Sequence, residues 1–270
     1  MKGEHMSSDD NPLDQEAQPA LLDRRMFLAA SVSIAAAACT PMLRTADTRT
    51  QNHNATKEQT MSNAGHLAFK IDNTALVLVD HQVGTIGWAG ELASDEERNQ
   101  LKMWVRAIIR FAKGAGVPIV LTSSLETEAQ GPLLPEFEKL AAEEFKARIK
   151  RTGVINAWDD PAFVSAVRAT GKKNLLMGGL TTDVCLVPPA LSAKAEGFNV
   201  VALLDISAAC TKLAAQNSRE ILARAGIDIM TVTPMITSML GNYKNPASGS
   251  FFGAFEQEGV YAAFGRGNLR

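Results

Sequence analysis

Ala75-Leu76-Val77-Leu78-Val79-Asp80 is an unbroken apolar run that ends in a carboxylate. A strand with one wet face alternates apolar and polar residues; a continuous run suits a strand buried on both faces of a parallel sheet. Similar runs stand at Val117 to Thr122, Leu175 to Leu180, Val200 to Asp205 and Ile227 to Val232, with a shorter candidate at Ala147 to Arg151.

Helical patterns separate these runs. Ser94 with Glu97 three residues on forms a capping box, and Leu101, Trp104, Val105, Ile108, Ile109 and Phe111 then recur at largely helical spacing until Gly114 and Gly116. Asp160 before Pro161 sets an N-cap ahead of a proline at the first helical position, opening a helix through Arg168 that stops near Gly171. Further helices are expected from about Asp183 to Glu196 and from about Ala214 to Ala225. Ser123 to about Glu144, with Gly131-Pro132 and Pro135, fits an irregular excursion with short helical pieces. Strands alternating with helices call for right-handed crossovers, so the expected architecture is α/β: a doubly wound, Rossmann-like parallel sheet of about six strands with helices on both faces. The tail after Gly241 carries Phe251, Phe252 and Phe255 and reads as a packing segment against this domain or a neighbouring subunit.

The chain has 270 residues, a formal net charge of -2, 46% hydrophobic and 21% charged residues. That composition belongs to a folded globular protein and supplies no basic field for nucleic acid. Three cysteines, Cys39, Cys185 and Cys210, make no CxxC pair and no disulfide scaffold.

Residues 1–39 read as an export signal. Asp23-Arg24-Arg25-Met26-Phe27-Leu28 leads into an Ala-rich apolar stretch ending at Cys39, shorter than the roughly 20 apolar residues of a spanning helix. The paired arginines resemble a twin-arginine signal, which implies a periplasmic protein. Ala36-Ala37-Ala38-Cys39 resembles a lipoprotein cleavage box, which makes Cys39 a candidate lipid anchor; a cytoplasmic chain with a disordered extension is the alternative. Residues 40–65 read as a tether and residues 66–270 as the folded domain with its packing tail.

Gly178-Gly179-Leu180-Thr181-Thr182-Asp183-Val184-Cys185 makes a tight turn between a buried strand and a helix, so Cys185 sits near a helix N-terminus. Free amides and the positive end of the helix dipole favour a thiolate there, although a lone cysteine is equally at home as a buried small residue. Asp80 closes the first strand, and the C-terminal ends of parallel strands converge on one edge, so the two side chains can meet. A carboxylate beside a thiol can take its proton and return it to a leaving amine.

The order Val79-Asp80, a basic residue before Asn156-Ala157-Trp158, and Gly179-Leu180-Thr181-Thr182-Asp183-Val184-Cys185 resembles the isochorismatase-like cysteine hydrolases over roughly residues 70–235. Asn156-Ala157-Trp158-Asp159, Ala190-Leu191-Ser192-Ala193 and Glu196-Gly197-Phe198 are similar in particular to the branch of octameric YcaC-type hydrolases of uncertain substrate. The resemblance implies a triad of aspartate, lysine and cysteine, a covalent acyl-enzyme, and hydrolysis of C–N bonds other than peptide bonds. Carried onto this chain, the aspartate is Asp80 and the nucleophile Cys185. A non-proline cis peptide falls at Leu180–Thr181, and the N–H groups of Thr181 and Cys185 form an oxyanion hole.

The family's lysine position falls on Lys150 or Arg151, which point to opposite faces if they lie on a strand. Arg151 is favoured because it keeps the spacing to Asn-Ala-Trp of the YcaC-like branch. An arginine holds its proton and could stabilise charge but not shuttle protons. Trp88, Asn156 and Trp158 are expected in the substrate pocket by the same resemblance, while each Trp also suits a plain core. His81 beside Asp80 diverges from it on a strand. The Asp-x-His cluster of the metal-dependent nicotinamidases is missing after Asp80, so neither metal nor other cofactor is expected. Cys210 reads as a buried small residue, although a Cys185–Cys210 disulfide in an oxidising compartment would silence the thiol. A homo-oligomer acting on a small molecule is the expected form. The alternatives are a catalytically weak binding protein on the same scaffold and the vinyl-ether hydrolysis of isochorismate, whose chemistry needs no cysteine.

Overall fold

The structure, a computed structural model, describes residues 65–265. The segments expected as an export signal and a tether, with Cys39 and apart from Gly65, lie outside the described residues.

Short 3-10 turns lead into β1 (Thr74–Val79), which is followed by a one-turn helix α1 (Thr85–Trp88) and the long α2 (Asp95–Ala115). Next come β2 (Ile119–Ser124), the short helices α3 (Pro135–Leu140) and α4 (Ala142–Lys146), and β3 (Ile149–Arg151). After a 3-10 turn at Ala157–Asp159, α5 (Pro161–Ala169) precedes β4 (Asn174–Gly179). A π-helical turn at Thr182–Leu186 runs into α6 (Val187–Ala195), and then come β5 (Asn199–Leu203), α7 (Lys212–Arg224) and β6 (Asp228–Met230). Three helices close the described chain: α8 (Val232–Leu240), α9 (Ser248–Gln257) and α10 (Val260–Gly265).

The sheet has six strands in the order β3-β2-β1-β4-β5-β6, every pairing parallel. The apolar run of β1 divides by its period of two. Leu76 and Leu78 enter one core with residues of α2, α8 and α9, whereas Ala75, Val77 and Val79 enter the other with residues of α5, α6 and α7. Burial on both faces is why the run carries no polar alternation.

Local chemistry sets the element ends. In α2 the Ser94 hydroxyl accepts from Glu97 N–H, the Glu97 carboxylate accepts from Ser94 N–H, and Gly116 ends the helix at φ 73°. Asp160 caps α5 by accepting from Ala162 and Phe163 N–H.

Three expectations shift. β2 starts at Ile119, because Val117 N–H still donates to Ala112 O of α2 and Pro118 has no N–H to give a ladder. The helix expected from Asp183 opens as a π turn, since Pro188 and Pro189 offer no amides and the last donor before them, Val187 N–H, reaches Thr182 O five residues back. The last run is a strand only to Met230, and α8 begins at Val232, where the Asp205 carboxylate accepts the backbone N–H at 2.9 and 3.1 Å.

The tail packs on this domain. Phe251 and Phe255 are buried, Phe255 meets Trp104 of α2 edge to face at 5.7 Å, and Glu258 binds both Arg106 and Arg110 of α2 at 2.5 Å. Burying each phenylalanine stabilises the fold by about 1.5 to 3 kcal/mol. Phe252 stays exposed.

Candidate active site

The strand order reverses between β1 and β4, which opens a crevice at their C-terminal ends. Asp80 is the first residue beyond β1 and takes a left-handed backbone, φ 55°, that an aspartate tolerates better than most residues. It is fixed there by Asp80 N–H donating to Thr122 O at 3.0 Å and by Thr85 Oγ1 donating to Asp80 O at 2.6 Å. Its side chain is buried, and Oδ2 accepts from Nη2 of Arg151.

Arg151 is the last residue of β3, two strands away, and its guanidinium crosses over the end of β2. Nε donates to Thr122 Oγ1 at 3.1 Å, while Nη1 donates to Val154 O and, at 3.2 Å, to Ile155 O. Lys150, one residue earlier, points the other way, is largely exposed and pairs with Glu126 at 3.5 Å. The two-residue period of the strand thus resolves the alternative between them in favour of Arg151 as the cation at Asp80. Thr122 went unnoticed in the sequence as a support; its only signal is a hydroxyl closing an apolar run.

Cys185 is carried by the π turn. A Cβ at Gly179 would lie 2.9 Å from the Cys185 carbonyl, so glycine at the end of β4 is what lets this turn pack against the strand. The Leu180–Thr181 peptide is cis, as expected. The Asp80 carboxylate and the Thr181 N–H both act on the thiol, the first disfavouring and the second favouring its charged form, and Oδ1 of Asp80 has no hydrogen-bond partner. Cys185 N–H itself donates to Thr181 O at 2.7 Å, closing the first turn, so of the two amides expected to bind an oxyanion that of Cys185 is already committed.

The electrostatics reverse one expectation. Position at a helix start argued for a stabilised thiolate, but burial, and then the negative charge of Asp80, push the Cys185 thiol above its ordinary value, against weaker opposing effects of Arg151 and the Thr181 N–H. Burial likewise raises the Asp80 carboxyl despite Arg151. Burial therefore disfavours charge on both the thiol and the carboxyl, with Arg151 as the fixed cation beside Asp80.

The remaining candidates fall elsewhere. Trp158 is packed into the core, edge to face with Phe163 at 6.0 Å and Phe198 at 5.4 Å. Asn156 is a scaffold residue too: its oxygen accepts from Trp158 N–H and its amide donates to Ser192 Oγ at 3.1 Å and Asp159 Oδ1 at 3.2 Å. The aromatic neighbours and the turn account for both. Trp88 is half exposed on α1, at the crevice edge of the sheet. His81 points away from the site, donating from Nε2 to Ile206 O at 2.7 Å. Cys185 and Cys210 are both free, and Cys210 Sγ lies 3.4 Å from Thr181 Oγ1.

Residues 74–234 match the Isochorismatase domain. The chain belongs to the isochorismatase family of hydrolases. Within the family it is similar to the probable hydrolase YcaC of Escherichia coli (strain K12), 36% identical over 178 residues that make 66% of this chain and 83% of that one. Two solved structures are similar over 73% of this chain and 96% of theirs, each with 31% identity and a TM-score of 0.63. One is YcaC from Pseudomonas aeruginosa with hexane-2,5-diol and covalent acrylamide. The other is the Escherichia coli YcaC gene product, described as an octameric hydrolase of unknown specificity.

Proposed function

We propose that this isochorismatase-family protein hydrolyses a small amide through a thioester on Cys185, with Asp80 as the acid/base and Arg151 as a fixed positive charge. The observation that carries the reading is the convergence of Asp80, Arg151 and Cys185 from β1, β3 and β4 on one buried point. In the first half-reaction the thiol proton passes to Asp80 as sulfur bonds to the carbonyl carbon. The Thr181 N–H stabilises the oxyanion, and Asp80 returns the proton to the nitrogen as the C–N bond breaks. Water then attacks the thioester with Asp80 taking its proton, and that proton goes to the departing sulfur. Arg151 keeps its own proton throughout and lowers the cost of the negative charge that moves between carboxylate, sulfur and oxyanion.

The raised thiol favours a second reading, a weakly catalytic binding scaffold, because the resting nucleophile is protonated. Incubation with small primary amides, read as ammonia release and as an acyl adduct on the Cys185 peptide, separates the two. Hydrolysis is expected to vanish in Cys185→Ala and to fall by about 10² to 10⁴ in Asp80→Asn. Turnover that survives Cys185→Ala refutes the thioester; no adduct and no ammonia from any amide favours the scaffold.

The covalent acrylamide of the Pseudomonas aeruginosa relative and the octamer of the Escherichia coli relative support the thiol chemistry and a homo-oligomer here. Export through residues 1–39 to the periplasm, with Cys39 as the acylation point, is part of the same proposal and is tested by fractionation with Arg24→Lys/Arg25→Lys and Cys39→Ser.

A further inference from the structure

Resting on the Cys185 reading, we infer that this site accepts neutral carboxamides with an apolar substituent and rejects those that carry a carboxylate. Arg151 is the only cation in the triad. It has a fully buried side chain, and four of its five N–H groups are committed to Thr122 Oγ1, Val154 O, Ile155 O and Asp80. A guanidinium so enclosed neutralises Asp80 and has no accessible fork to offer a substrate anion.

No other cation described on this edge of the sheet replaces it. Arg148 and Lys150 both bind Glu126, and Arg219 binds Glu91. Lys212 lines a cavity of about 470 Å³ with Asp205 and Glu91, and none of Asp80, Arg151 and Cys185 lines that cavity. The charge nearest Cys185 along its own turn is Asp183, whose carboxylate accepts from Cys210 N–H at 3.1 Å.

The loops that leave this edge expose an apolar rim set among polar residues such as Thr127, Glu128, Thr152 and Lys212. Val83 and Trp88 follow β1, Val154 and Ile155 follow β3, Val184 precedes the nucleophile and Leu213 opens α7. Val154 and Ile155 are also the residues whose carbonyls hold Arg151, which ties this rim to the triad. A substrate carboxylate would give up its water to meet the apolar Val154, Ile155 and Val184 beside Asp80 and Asp183, while Arg151 is enclosed and Lys212 faces another cavity. A neutral amide loses little by the same transfer and gains the contact with the rim.

The test compares two probes of the same chemistry, iodoacetamide and iodoacetate, on the full chain, with Cys185 alkylation read by peptide mass spectrometry and glutathione as the free-thiol reference. The preference of Cys185 for iodoacetamide is expected to exceed that of glutathione by about tenfold or more, because like charges placed together are strongly disfavoured. A preference equal to that of glutathione, or reversed, overturns the inference. Ile155→Lys is expected to raise the ratio of the iodoacetate rate to the iodoacetamide rate about fivefold or more, since a free cation now faces the entrance; an unchanged ratio would overturn the role of the rim. Butyramide against succinamate, which differ at one end by a carboxylate, extends the comparison to turnover. If neither amide is hydrolysed while the alkylation preference holds, the hydrolase reading falls and the charge selection stands.

Discussion

Arg151→Met removes the charge beside Asp80 while keeping an unbranched apolar side chain. Deleting one partner of a buried ion pair costs about 3 to 5 kcal/mol, because the other is left without compensation. Here the substitution also strips donors from Thr122 Oγ1 and from the carbonyls of Val154 and Ile155. For a domain of this size about 1 kcal/mol moves Tm by 2 to 4 °C, so a drop of roughly 6 to 20 °C is expected. The pH dependence identifies the cause. Burial already holds the Asp80 carboxyl above its ordinary value of 3.8, and Arg151 is the largest effect opposing it. Without Arg151 the folded protein keeps that proton to higher pH while the unfolded chain releases it near 4. The folded state then binds more protons, and stability falls as pH rises above about 4. Urea unfolding of both proteins from pH 4 to 8 should give a difference that is smallest at pH 4 and widens upward. A loss below about 1 kcal/mol, or one of equal size at both ends, would refute a buried and mutually dependent Asp80–Arg151 pair.

Three further outcomes follow from individual groups. His81 is buried and its pKa is lowered by that burial from 6.5 to about 4, so the unfolded chain binds its proton first and stability is lost as pH falls from 6.5 toward 4; His81→Gln should flatten that part of the unfolding profile. Asp205 is pushed up to about 7 by burial while it caps α8, so it costs stability as pH rises from 3.8 to 7; by denaturant melts at pH 8 Asp205→Asn should be neutral or stabilising and Asp205→Ala should lose about 1 to 2 kcal/mol relative to it. Ser94→Ala removes one half of the capping box of α2 and should cost about 1 kcal/mol by the same melts, with no change in Cys185 alkylation.

Much of this molecule follows from local chemistry that a single strand or turn already contains. The unbroken apolar run before Asp80, the Ser94–Glu97 box and the Asp160-Pro161 cap specify buried strands and bounded helices, because hydrophobic period and capping act within a few residues. Asp80 and Cys185 were legible as partners for the same reason: strand ends in a parallel sheet share an edge, and both follow apolar runs. Other features depend on neighbours that are remote in the chain. Lys150 and Arg151 were separated only once β3 took its register beside β2, which aims one side chain at Asp80 and the other at Glu126. Trp158 and Asn156 belong to the scaffold because of Phe163, Phe198 and Ser192, all supplied by other elements. The state of the thiol was decided last and by tertiary structure alone. A helix start stabilises negative charge through a few local amides, whereas burial among packed elements and the approach of Asp80 act on the same sulfur from outside that turn, and in this fold they are the stronger effects.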